Sequence, residues 1–172
     1  LNSTARDIAQ DTAAARGAAY DAAYARPIDY AGDAGRNIEA ALDRVPNRVL
    51  DEAIRKANER MTAKGLQNEQ IMFSELADGT IVITNPPNVR QLDQLKRVLG
   101  EMGAEGIDQY GRQTADGSMY TALARSIKRA TGDAVPEYLT AVRLGGDKIE
   151  RDQALRLGSE LLSKKTTREA VM

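Results

Sequence analysis

The sequence predicts a mainly α-helical fold: a bundle of about six helices with one small β-hairpin at residues 70–84. Three features carry this expectation. Leu92, Leu95, Leu99 and Met102 recur at helical spacing, and so do Met119, Leu123, Ile127, Ala130 and Ala134. Neither stripe can be buried by its own helix, but two helices packed as a hairpin bury each other's. Asp78-Gly79, set between Gln70–Leu76 and Thr80–Thr84, is a hairpin turn signal. Aromatic residues are 4% of the chain, with no Trp and one Phe, so the core must be aliphatic and thin, in elongated layers.

In chain order, residues 3–25 form an alanine-rich helix whose weakly apolar face is Ile8, Ala15, Ala19, Ala22 and Ala23. Pro27 breaks it, because the residue before proline disfavours the α region. Asp33 is expected to cap a short helix over 34–44, carrying Ile38, Ala41 and Leu42. Pro46 and Asn47 open a helix over 47–64 with Val49 or Leu50, Ala53, Ile54, Ala57 and Met61 as its stripe, and Gly65 closes it. Pro86 and Pro87 end the hairpin and aim the chain into a helix over 88–102. Gly100, Gly103 and Gly106 then loosen the chain, and Ile107–Gly117 is a polar loop or a segment ordered by a partner. Asp116 or Ser118 caps the second long helix. Pro136 begins a short helix to about Leu144. Asp147-Lys-Ile-Glu150 has the form of a capping box, opening a helix to Ser163 with Leu155, Leu157, Leu161 and Leu162 inward. Three segments result: 1–66 helical, 67–87 the hairpin, and 88–172 the helical core. Thr166-Thr-Arg-Glu169 is a further capping box with three residues after it, and Leu1 stands where an initiator Met would. Both features lead us to expect a piece of a longer protein, truncated at the C-terminus.

Composition excludes several chemistries. Cys and His are both absent, which removes disulfides, thiolate nucleophiles, Ser-His and Cys-His triads and nearly all zinc sites. Net charge is −1, so no global field draws in nucleic acid or an anionic membrane. No apolar run is long enough for a transmembrane helix. The spacing Gly100-x-x-Gly103-x-x-Gly106 is wrong for a dinucleotide loop and follows a helix. Asp108 and Asp116 lack calcium-loop periodicity. Glu101 and Glu105 read as solvated charge rather than a glycosidase pair. No catalytic, cofactor-binding or metal-binding residue is assigned, and an enzyme is not expected. Tyr20, Tyr24 and Tyr30 could stack bases, and Arg125, Lys128 and Arg129 are candidate phosphate contacts on the polar face of the second long helix. The surrounding charge favours neither role. The candidate contact surfaces are the alanine face (Ala15, Ala19, Ala22, Ala23) and the hairpin (Ile71, Phe73, Ile81, Ile83), whose edges invite strand addition.

Four phrases carry a resemblance. They are Ala19-Tyr-Asp-Ala-Ala-Tyr-Ala25 with Pro27-Ile-Asp-Tyr30, Asn88-Val-Arg-Gln-Leu-Asp-Gln-Leu-Lys-Arg97, Ala134-Val-Pro-Glu-Tyr138 with Ala141-Val-Arg-Leu-Gly-Gly-Asp-Lys-Ile149, and Thr166-Thr-Arg-Glu169. Together they resemble a segment of large, poorly characterised proteins encoded in prophages of alphaproteobacteria, themselves similar to virion structural or DNA-ejection components. The resemblance implies a non-catalytic role in assembly. Its partners would be other virion proteins or a second copy of the chain. Its place would be the virion, or the host cytoplasm during assembly. It transfers no functional residue. The two rival expectations are a cell-wall-degrading enzyme fragment and a DNA-binding module.

Overall fold

A computed structural model describes residues 2–145, with side chains from residue 12 onward. The helix expected at 147–163 and the capping box at Thr166 lie outside the described residues. Within them the fold is mainly helical with one two-stranded antiparallel sheet, as the periodicity predicts. The helices are α1 (Asn2–Tyr24), α2 (Asp33–Asp43), α3 (Asn47–Ala63), α4 (Val89–Glu105) and α5 (Ala115–Ala134), and a sixth, α6, covers 136–145. The strands are β1 (Phe73–Glu75) and β2 (Ile81–Ile83), shorter than the apolar runs that announce them.

The antiparallel pair α4–α5 is the centre. Leu92, Leu95, Leu99 and Met102 are all buried, and they meet Leu123, Ile127 and Ala130 from α5. Helix α2 packs on α5 and α3 packs on α4. The same core takes in Ile71 and Ile81, so it runs without a break across the segment boundaries at 66 and 87. A smaller cluster of Ala23, Val89, Val135 and Tyr138 joins α1, α4 and α6.

Local chemistry sets the helix ends. Asn88 and Gln91 form a reciprocal capping box, each side chain bonding the other's backbone N–H at 2.9 Å. Gln91 Nε2 also donates to the Glu69 carbonyl at 3.0 Å, which ties the start of α4 to the segment before the hairpin. Asp33 is not the cap of α2. Gly32 holds the extended cap position, and Asp33 is the first helical residue, where its carboxylate pairs with Arg36. Thr114, rather than Asp116 or Ser118, caps α5 by accepting from Gly117 N–H at 3.1 Å.

Two expectations around the glycines are corrected. Helix α4 does not loosen at Gly100 or Gly103 but continues to Glu105. Helix α5 crosses it there at backbone contact, so a Cβ on Gly103 would stand 2.4 Å from Thr121 Oγ1 and one on Gly117 2.6 Å from the Gly106 carbonyl. The connection after α4 is ordered by its own bonds. Asp108 Oδ1 accepts from Tyr110 and Arg112 N–H, each at 2.9 Å, and Ile107 bridges Gln113.

The hairpin turns through Leu76–Thr80 with Gly79 at φ 87°, and it is held to α3 at two points. Asn58 Nδ2 donates to the Ile71 carbonyl at 3.0 Å while its Oδ1 accepts from Ile71 N–H at 2.7 Å. Asn47 Oδ1 accepts from Ile81 N–H at 3.1 Å. Ile71 is buried, so Asn58→Ala leaves two backbone groups without partners. This change should cost about 1–3 kcal/mol and should speed hydrogen exchange at Ile71 before it does so in α4. Native exchange at Ile71 in the variant would show that the clamp is not what holds the hairpin.

Candidate functional site

A polar centre is built around a buried carboxylate on α4, with half-buried partners at its rim. Asp93, on α4, is fully buried. Its Oδ2 accepts from Tyr24 on α1 at 2.7 Å and from Arg97 Nε at 2.9 Å. Its Oδ1 accepts from Tyr138 on α6 at 2.7 Å, and Lys96 Nζ stands 3.3 Å from the same oxygen. One carboxylate thus holds α1 and α6 to α4 with every lone pair engaged. The Tyr rings also stack on cations: Arg97 lies over Tyr20 at 5.2 Å and Arg90 over Tyr24 at 4.9 Å. Tyr20 and Tyr24 therefore pack on α4, and Tyr30 donates to the Pro87 carbonyl, so none of the three forms an open platform for bases.

Burial, and then the Asp93 charge, push the hydroxyls of Tyr20, Tyr24 and Tyr138 above the ordinary value of 10.0. Burial does the same for Tyr30, with Glu39 adding to it. Above pH 10 the unfolded chain releases protons that the folded chain keeps. The stability these groups contribute is therefore complete below pH 10 and is lost as pH rises beyond it. Lys96 acts in the opposite sense, because burial lowers its ammonium, but it is one group against four. Denaturation midpoints should fall with pH above 10, and Tyr138→Phe should flatten that slope. A slope unchanged by Tyr138→Phe would show that this hydroxyl does not carry the effect.

The second candidate region is the hairpin surface. Strand alternation separates its residues by parity. Phe73, Ile81 and Ile83 face inward with Ile71, which is buried ahead of β1. Met72, Leu76 and Val82 face outward, 56%, 50% and 39% exposed. Of the residues expected to make contacts, Ile71 and Ile81 are thus spent on the chain's own core, and Phe73 and Ile83 are half-buried against it. The same holds on α1, where Ala23 is buried and Ala19 half-buried, while Ala15 and Ala22 are exposed. The signal that would have found the outward residues is the opposite parity of the same strands.

Beside β2 lies a groove of about 370 Å³ between the strand, α2 and α3. Thr80–Thr84 form one wall; Tyr30, Leu42 and Leu50 line the other, together with Glu39 and Asp43, the charged side chains of the groove among the described residues. These two carboxylates stand one turn apart on a single helix, not across a cleft from each other as a glycosidase pair must. Arg125 and Arg129 are exposed on α5, and Lys128 is half-buried, near enough to Lys96 to disfavour its charge. Among the described residues, no group of three or more acidic side chains is placed to hold a metal ion, and no helix is long and apolar enough to cross a membrane.

No family model, no curated protein and no solved structure matches this chain. These findings correct the vocabulary drawn from the resemblance: phage, prophage, virion protein and DNA ejection have no support and are withdrawn, and helical bundle is the description that stands.

Proposed function

We propose that this chain is a non-catalytic contact module that acts through protein–protein assembly. The observation that supports it is the outer face of the hairpin, where Met72, Leu76 and Val82 stand exposed on one side of a sheet whose other side is packed. A single exposed apolar side chain needs no explanation, but three on one small face form a patch of the kind that partners cover. The polar chemistry at Asp93 is engaged in joining helices, which fits a scaffold presenting a surface.

The triple variant Met72→Thr, Leu76→Thr, Val82→Thr tests this. All three positions are exposed, so the thermal midpoint should move little. Light scattering over a concentration series should show the native mass rising and the variant mass constant. A native chain that stays monomeric throughout would rule out self-assembly through this face. A variant that associates as strongly as the native chain would move the contact surface off the hairpin.

A further inference from the structure

The hairpin has an edge as well as a face. In the β1–β2 ladder, Thr84 N–H bonds the Met72 carbonyl and Leu76 N–H bonds the Thr80 carbonyl. With the register Ser74↔Val82, alternation makes Ser74 and Val82 the mutually bonded pair between them. Ile81 and Ile83 therefore direct their backbone groups away from β1. Asn47 takes the Ile81 N–H. Among the described residues, no group bonds the N–H or carbonyl of Ile83, which face the groove beside β2. The edge carries no lysine and no bulge; the shortness of β2 and the prolines at 86 and 87 limit an added strand to a few residues beside Ile83.

We propose that this edge takes up a third strand from a protein partner, an extended segment in which apolar residues alternate with Lys or Arg. The inference rests on the contact reading above and specifies its partner. Backbone bonds to Ile83 would set the register, and the Asn47 side chain would stop the new ladder at Ile81. In an added strand, successive side chains fall on opposite faces. Those on the outer face lie beside Val82 and extend the exposed apolar patch. Those on the inner face enter the groove, where a Lys or Arg stem lies along Leu42 and Leu50 and its charge reaches Glu39 and Asp43. Neither carboxylate has an ion-pair partner among the described residues, whereas Asp33 on the same helix and Asp51 on α3 do. Charge thus selects the inner positions and hydrophobicity the outer ones.

The test uses short blocked peptides of alternating valine and lysine, their valine–glutamate counterparts, and a lysine peptide N-methylated at alternate residues. They are titrated into the isotopically labelled chain and followed by backbone amide shifts and hydrogen exchange. The lysine peptide should shift and protect the Ile83 amide. The glutamate and N-methylated peptides should not. Glu39→Gln with Asp43→Asn should weaken lysine-peptide binding by about tenfold or more at an unchanged melting temperature. Equal binding of both charges, or saturation with no change at Ile83, would overturn the proposal. So would an Ile83 amide that responds to protein concentration alone, which would make the occupant a second copy. Perturbation confined to Met72, Leu76 and Val82 would remove the strand-addition proposal and leave the contact reading in place. If the lysine peptide leaves the hairpin untouched and the triple threonine variant associates like the native chain, both fail.

Discussion

Asp93→Ala is expected to destabilise the fold by about 3–5 kcal/mol, because it leaves buried partners of a charge without that charge. The carboxylate has no contact with solvent, and two tyrosine hydroxyls, an arginine and a lysine converge on it. Its removal leaves the buried Tyr138 hydroxyl without its acceptor and the Lys96 ammonium, which burial already disfavours, without its counter-charge. In a chain of this size the thermal midpoint should fall by on the order of 10 °C. Asp93→Asn retains one acceptor and should fall between the two. Tyr24→Phe and Tyr138→Phe each remove one bond to a charged acceptor, worth about 1.5–3 kcal/mol. Made together, they should depart from the sum of the single changes, because both bonds share one carboxylate. Denaturant titration of the native chain and the five variants reads these changes, and the native, single and double tyrosine proteins complete the cycle. If Asp93→Ala unfolds within about 0.5 kcal/mol of the native chain, as an ordinary surface change would, then α1 and α6 are not held by this residue.

A single methyl group at the helix crossing should also matter, and its sign should depend on which glycine receives it. At Gly117 a Cβ would lie 2.6 Å from the Gly106 carbonyl and 3.0 Å from that of Gly103, both backbone atoms that can yield only if α4 and α5 separate. Gly117→Ala should therefore destabilise by about 1–3 kcal/mol, the usual cost of overpacking. Gly100 lies three residues before Gly103 in the same helix and has nothing within 4 Å of the corresponding position. There the intrinsic preference for alanine acts unopposed, and Gly100→Ala should stabilise by up to about 1 kcal/mol. Paired thermal melts read the contrast. A Gly117→Ala chain that melts at or above the native midpoint would mean the crossing is looser than these distances require, and a destabilised Gly100→Ala would mean that position is not open.

The apolar stripes were legible because helix formation is local. Leu92, Leu95 and Leu99 repeat at the helical period whatever covers them, and all three are fully buried. The hairpin was legible for a similar reason, since its turn signal and β-rich flanks lie within fifteen residues of each other. The candidate site was legible only in part. The sequence points to the hairpin as a candidate contact surface, but the residues it singles out are the inward-facing apolar ones. The parity of a two-faced strand depends on which side meets a helix, and that is settled by Asn58 and Asn47 reaching across from α3. The glycines of α4 misled because the same residue that ends a helix also permits close approach, and only the partner helix distinguishes the two uses.

Among the described residues, then, the sequence by itself determined which segments are helical, which face of each is apolar and where the hairpin turns, and it excludes the chemistries that need cysteine or histidine. Only the tertiary structure decided what those faces meet. Asp93 is one acid among many in the chain, and its partners Tyr24 and Tyr138 lie 69 and 45 residues away. Nothing in the local pattern distinguishes it from a solvated carboxylate. Its burial follows from the docking of α1 and α6 on the flank of α4, a choice made by contacts between distant segments. Periodicity reports the energetics of a residue with its neighbours in the chain, whereas burial and hydrogen bonding depend on neighbours in space.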